Sequence, residues 1–431
     1  MNKQIDITFF EPNEPLNQKH GTLIIEEFGK NMIEFKGNFS DAFRVIDIIF
    51  AEAVDSDEKF TLINSVFHYS SNSNYRVIIN ELYQGAHLSK VTEEDCIRAT
   101  ARVTGLTGWI NQPRIKPSIS SDINNTENIL IKPPYERVFS IDDNLSLRLE
   151  EYCYELMSRD SVILENRSQY FLEAKIAVSR LRMLEVTFSF QKLLSLFTEY
   201  IPRFVGLDLQ LTDNVNVACL AFKLLEKPKN NEALLTLELM SDHFDNMLRL
   251  YYERLKDYIK IIDLLNASIE NKTSEISFLN LTTALEVFHK HFMEDGENQM
   301  RNNIANELEQ AGLKNQRGHN WNQLMRYYHL FKYMNNVEFF SKIVPNYSRF
   351  AGLVKDSRNY YTHYSKTTKK IWTPNQLLYA NKTLRPLVKG VILKKLGMPD
   401  QLINQLLNNR FAAISHGYDK NEYSMYYIGG D

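Results

Sequence analysis

A chain of 431 residues, 44% hydrophobic and 24% charged with 16 glycines and 12 prolines, has the composition of a folded protein of two or three domains. Its three cysteines, Cys96, Cys153 and Cys219, lie far apart and form no CxxC pair, which excludes a disulfide framework and a structural zinc site and fits a reducing cytoplasm. The net charge of −3 hides a split: residues 1–250 hold 26 Lys and Arg against 36 Asp and Glu, a balance of −10, whereas residues 251–431 hold 24 against 17, a balance of +7.

From the N-terminus, Met1 to Pro15 carries Asp6, Glu11 and Glu14 and lacks a basic start followed by an apolar run. No stretch approaches eighteen apolar residues, so neither a secretory leader nor a membrane span is expected. Between Gly21 and Asn111, apolar and β-branched runs such as Thr22 to Ile25, Met32 to Phe35, Phe60 to Ile63 and Tyr75 to Ile79 alternate with turn-rich pieces, the pattern of half-buried strands. Residues 111–134, rich in Pro, Ser, Asn and Asp, read as a long loop and a lobe boundary. Strands are expected again at Leu145 to Leu149, Ser161 to Glu165, Tyr170 to Lys175 and Glu185 to Phe190, then a helix over Phe190 to Tyr200. Further strands are expected at Val205 to Leu211, Val215 to Phe222 and Ala233 to Leu239. Residues 1–245 therefore read as a β-rich region in two lobes.

Beyond Ser241 the period becomes helical. Leu255, Tyr258, Ile259, Ile262 and Leu265 form one apolar stripe, and Phe278, Leu281, Leu285 and Phe288 another. Helices are expected also at 299–311, 321–333 and 347–364, and from Pro374 to Leu396 with Thr373 as N-cap and Gly397 and Pro399 as the stop. A short helix over 402–410 closes the set. The fold class is α+β: a β-rich region over 1–245, an all-α bundle over 246–411 and a tail of irregular structure over 412–431.

There is no GxGxxG, P-loop, GxSxG or HExxH, so the dinucleotide, nucleotide, serine-hydrolase and zincin chemistries lack their motifs. His289 and His291, two apart on a helix, point to opposite sides and do not share a metal. From Lys314 to Lys395 sixteen basic residues face only Glu338 and Asp356, a balance of +14 that attracts polyanions, nucleic acid above all. Inside this stretch lies Asp356-Ser-Arg-Asn-Tyr-Tyr-Thr-His-Tyr364, an Arg-Asn-x-x-x-His pattern. On a helix Asn359 and His363 share a face and Arg358 lies about 100° round, reachable by its long side chain. A guanidinium matches phosphate oxygens, and an imidazole takes or gives a proton near neutral pH. The set suits RNA, whose 2′-hydroxyl attacks the adjacent phosphate once deprotonated. Two acidic residues are too few for a two-metal site, so no metal or other cofactor is expected. Tyr361, Tyr364, Lys355 and Lys366 flank the motif as candidate RNA contacts by stacking and charge.

Arg358 to His363 resembles the RxxxxH signature of the HEPN superfamily in its Arg-Asn-x-x-x-His form. Leu281-Thr-Thr-Ala-Leu-Glu-Val-Phe-His289 followed by the motif is similar to the ApeA-type HEPN proteins, and Gly105-Leu-Thr-Gly-Trp109 is similar to the N-terminal domain that accompanies them. The resemblance implies a bacterial abortive-infection ribonuclease whose N-terminal region restrains the HEPN domain until a phage component appears. It implies Arg358 and His363 as the catalytic pair with Asn359 as polar helper, an RNA substrate with transfer RNA as one candidate, and a phage component, a phage protein, as trigger. Independently of the resemblance, one imidazole does not easily act as base and leaving-group acid at once, so a homodimer that brings two copies of the motif together across a twofold axis is expected, in the cytoplasm and with no membrane attachment. The main rival reading at this point is a catalytically silent HEPN module for RNA or protein binding; a second, a nucleotide-transfer enzyme acting on a protein hydroxyl, lacks a nucleotide-pocket motif.

Overall fold

The structure is a computed structural model, which describes residues 3–26, 31–36, 45–70, 74–88, 95–111, 115–118, 128–157, 162–220, 233–293, 297–310, 319–344, 346–364 and 370–415. Its contacts divide the chain into two units, Met1–Gln191 with Pro202–Asn231, and Lys192–Ile201 with Glu232–Asp431. The second unit thus contains a ten-residue piece taken from the middle of the first. A division at 245/246 would fall inside a helix, Ser241–Glu253.

In the first unit the alternation read from the sequence becomes β1 (Lys3–Phe10), β2 (Lys19–Ile25), β3 (Met32–Lys36), β4 (Val45–Ala53), β5 (Lys59–Ser70) and β6 (Asn74–Ile78). They pair in the ring β1-β2-β3-β6-β5-β4, antiparallel throughout, so the sheet closes on itself as a small barrel. One residue in two points inward, and Ile7, Phe9, Leu23, Ile33, Phe35, Ile49, Phe60, Leu62 and Val77 fill the interior. Gly21 is required there, because a Cβ would meet the Glu34 carbonyl oxygen at 2.7 Å.

β5 serves two neighbours along one edge. Its C-terminal half pairs with β6, while Phe60 to Ile63 pair with β7 (Glu81–Gln84). Between the halves Asn64 takes a left-handed φ of 52°, a conformation asparagine tolerates better than most residues, and Asn80 donates to its carbonyl at 2.7 Å. The sheet continues from β7 through β15 (Asn216–Cys219), β14 (Phe204–Leu211), β8 (Asp95–Val103), β13 (Val162–Ser179), β12 (Leu145–Met157) and β11 (Tyr135–Ser140). Barrel and open sheet are two lobes joined where β5 changes partner, so the boundary lies between β6 and β7 and not in the 111–134 segment where the sequence suggested it. Part of the 111–134 segment lies outside the described residues; of the rest, Ile115–Ser118 (β9) and Asn128–Ile131 (β10) pair as a small separate sheet.

Gly105, at φ 79°, starts a short helix, α1 (Leu106–Ile110), which buries Trp109 completely. Trp109 meets Phe190 of α2 (Arg180–Leu194), and Phe190 in turn meets Tyr170 of β13 with ring centroids 4.8 Å apart. This corrects the strand expected over Glu185 to Phe190 and shifts the following helix toward the N-terminus. The expected strand over Ala233 to Leu239 reduces to a single bridge, Ala233 to Thr198, followed by turns.

The second unit is helical: α3 (Ser241–Glu253), α4 (Leu255–Glu270), α5 (Ser274–Phe292), α6 (Glu297–Gln310), α7 (His319–Tyr333), α8 (Glu338–Ile343), α9 (Tyr347–His363), α10 (Pro374–Lys395) and α11 (Asp400–Ser415). The stripes read from the sequence face inward, with Tyr258, Ile262 and Leu265 of α4 and Phe278, Leu281, Leu285 and Phe288 of α5 buried. α5 is the central helix, packed against α4, α7, α9 and α10. Thr373 caps α10 as expected, accepting from the Gln376 amide while Gln376 accepts from the Thr373 amide. α11 extends past the expected 402–410 to Ser415, and the remainder of the tail lies outside the described residues. Lys389, wholly buried in α10, donates to the carbonyls of Ser195 and Thr198 at 2.8 and 2.6 Å, which ties the 192–201 piece into the bundle.

Candidate active site

Asn346 caps α9, its side chain accepting from the Arg349 amide at 2.9 Å. Phe350, Ala351, Val354, Ser357 and Tyr361 then form the buried stripe. That spacing places Arg358, Asn359, Thr362 and His363 along the edge and outer face of the last two turns. Tyr364 ends the helix in the left-handed region, φ 47°, its amide donating to the Tyr360 carbonyl at 2.6 Å. Two bonds pin this end: the Tyr361 hydroxyl donates to the Trp372 carbonyl at 2.8 Å, and the Trp372 amide to the Ser357 hydroxyl at 2.9 Å.

His363 is exposed, and among the described residues it has no hydrogen-bond or ion-pair partner. Arg358 is mostly covered, with 22% of its side chain exposed, and reaches across to Glu286 of α5. Nε lies 3.4 Å from Oε1 and Nη2 3.4 Å from Oε2, while Nη1 lies 3.4 Å from Asn359 Oδ1, all long contacts. Glu286 is held from the other side by short bonds, the Gln323 amide and the Tyr327 hydroxyl of α7 both donating to Oε1 at 2.6 Å. Tyr327 is wholly buried, and its phenol is pushed well above its ordinary range by burial and then by the adjacent Glu286 carboxylate, which keeps it a donor. Next to this bracket His289 and His329 meet inside the bundle with ring nitrogens 3.1 Å apart, and burial lowers the pKa of His329. His291, on the other side of α5, pairs with Asp257 at 2.9 Å, so the two histidines of α5 diverge as expected.

The flanking residues divide. Tyr364 is 69% exposed, its ring free to face a ligand beside the motif. Tyr361 is buried, and burial first, then Glu275 and the neighbouring tyrosines, push its phenol up to about 12. No face of its ring is open to a base, which corrects the stacking role expected for it. Lys355 is corrected for the same reason: it is buried, with its nitrogen 3.2 Å from Asp356 Oδ1. Lys366 lies outside the described residues. Two other tyrosines of the basic stretch are engaged within the bundle, Tyr328 donating to Glu307 at 2.8 Å and Tyr347 stacking on Phe331. Among the described residues no group of three or more His, Cys, Asp or Glu is arranged to hold a metal ion.

The bracket of Glu286, Gln323 and Tyr327 is absent from the motif read in the sequence. Its one signal is Glu286 itself, an acid within the otherwise apolar and small Leu281–Phe288 run. A family model described as ApeA N-terminal domain 1 matches residues 7–250, and one described as Apea-like HEPN matches residues 279–402. The chain belongs to the ApeA family. Membership makes it a member of an anti-phage HEPN nuclease family, and the Apea-like HEPN match contains Glu286, Gln323, Tyr327, Arg358, Asn359 and His363 together. No curated protein and no solved structure matches the chain. No helix among the described residues is long and apolar enough to cross a membrane.

Proposed function

We propose that this ApeA-family protein is a metal-independent endoribonuclease that cuts RNA, transfer RNA among the candidates, in a cytoplasmic anti-phage response. The observation that carries the reading is the pairing at the end of α9 of an exposed His363 with an Arg358 that is already held in place. His363 takes the proton of a ribose 2′-hydroxyl, and the freed oxygen attacks the adjacent phosphorus. Arg358 stabilises the charge that accumulates on the phosphorane oxygens, and Asn359 orients the phosphate. The bond to the 5′-oxygen breaks, leaving a 2′,3′-cyclic phosphate and, once that oxygen is protonated, a 5′-hydroxyl. The second proton transfer comes from His363 of a second copy in a homodimer, since one imidazole does not serve both oxygens in the same step. Glu286, the carboxylate that Arg358 contacts, is already engaged by three side chains, which supports His363 rather than Glu286 as the proton acceptor. A phage protein bound by residues 1–245 releases the restraint.

The test uses purified full-length protein with a transfer RNA pool. His363→Ala and Arg358→Ala are each expected to lower cleavage ~100- to 10,000-fold while leaving the melting temperature within a few degrees. End mapping should find cyclic phosphate and 5′-hydroxyl termini with chelator present. Cleavage that persists in His363→Ala, or that stops with chelator, rejects the mechanism.

A further inference from the structure

Glu286 and Arg358 are 72 residues apart in sequence, and what joins them is the direction of the hydrogen bonds. Four donor groups converge on one side chain: the Gln323 amide, the Tyr327 hydroxyl, and Nε and Nη2 of Arg358. Only an acceptor without hydrogens satisfies all four, and a carboxylate is such a group, whereas a glutamine would turn its own N–H bonds toward donors. The distances rank the bonds. Those from α7 are 2.6 Å and those from the arginine 3.4 Å, so the bundle holds Glu286 more tightly than Glu286 holds Arg358.

A guanidinium has two usable edges. The edge bearing Nε and Nη2 is turned to Glu286, and the remaining nitrogen, Nη1, lies beside Asn359. We infer that Glu286 is a positioning residue that acts through Arg358, fixing one edge of the guanidinium so that the Nη1 edge, next to Asn359, meets the phosphate of the RNA. Tyr327 and Gln323 are the struts of this anchor. The inference rests on the ribonuclease reading and adds to it the group that sets the arginine's orientation.

The experiment is a double-mutant cycle on full-length protein. Glu286→Gln alone should lower RNA cleavage ~10- to 100-fold, the cost of misplacing a catalytic group by about 1 Å. Tyr327→Phe, which removes one strut and keeps the ring's volume, should lower it a few-fold and covers the case in which Glu286→Gln does not fold. In an Arg358→Ala background Glu286→Gln should change nothing further, within about 2-fold, because its route of action is gone. Where residual cleavage is too slow to compare, the affinity for uncut RNA in a His363→Ala background supplies the same cycle. Unchanged or raised activity in Glu286→Gln overturns the inference, as does an equal loss with and without Arg358, which would mark a purely structural role. Wild-type protein that neither binds nor cuts RNA under any trigger overturns the ribonuclease reading and this one with it.

Discussion

Tyr361 and Tyr364 are three residues apart with opposite environments, and the difference sets what each substitution does. Tyr361 gives its hydroxyl to a buried carbonyl, whereas Tyr364 exposes its ring and holds a backbone conformation that suits glycine. Tyr364→Gly is therefore expected to stabilise the fold by roughly 1 kcal/mol, by relieving the left-handed backbone. It should also weaken RNA binding ~5- to 100-fold by removing a stacking surface. Thermal melts and binding to uncut RNA in a His363→Ala background check both signs, and a parallel loss of stability and affinity would assign Tyr364 to packing. The motif itself was legible because its three residues fall within six positions and one helix. The burial of Tyr361 and Lys355 was not, because a tyrosine and a long-stemmed lysine each suit a packed face and a solvated one. Only the segment around Trp372, which covers this end of α9, separates them.

At the level of elements, the division into strands and helices followed from the period of the apolar residues, and the failures have local causes. In α2 the run Glu185-Val-Thr-Phe-Ser-Phe190 alternates over six residues as a strand does, yet Met183, Val186, Phe190, Leu193 and Leu194 are buried at helical spacing. A window of fifteen residues, which contains Arg182 paired with Glu185 at 2.7 Å, carries the helix signal that six residues hide. Glu286 was not legible as part of the site, because the register of α5 against α7 and α9 decides which residue of a helix meets Arg358. Lys389 is a similar case, since a lysine in the middle of α10 reads as solvated. Its side chain is wholly buried and supplies donors to two carbonyls. Lys389→Met, which keeps the length of the side chain, should leave those acceptors without this donor and destabilise the protein by about 2–5 kcal/mol. The urea midpoint measures it, and an unchanged midpoint would show that water or another donor replaces the amine at no cost.

For the whole molecule, the proposed composite site makes activity a property of pairs. If both protons of the reaction pass through His363 from two copies, a mixture of wild type and His363→Ala in equal amounts, exchanged to equilibrium, should retain about one quarter of the wild-type activity. A loss to one half, in proportion to the wild-type share, would mean that each copy works alone. The excess of acid over residues 1–250 and of base over 251–431 was evident from composition, but composition is blind to the path of the chain.

That path returns once to the helical unit before entering it for good, and the ten residues from Lys192 to Ile201 bring Leu193, Leu194, Leu196 and Phe197, all buried, into a bundle whose other members begin at Glu232. An exchange of helical units between relatives through a single junction would leave this piece behind with the donor. The carbonyls that Lys389 needs exist in any polypeptide, so that bond tolerates a stranger. The apolar side chains do not, since a buried side chain depends on the shape of the core around it. A chimera joined once between the two units should therefore fail first at the fit of this short insert, and a working one needs residues 192–201 carried over together with the helices they belong to.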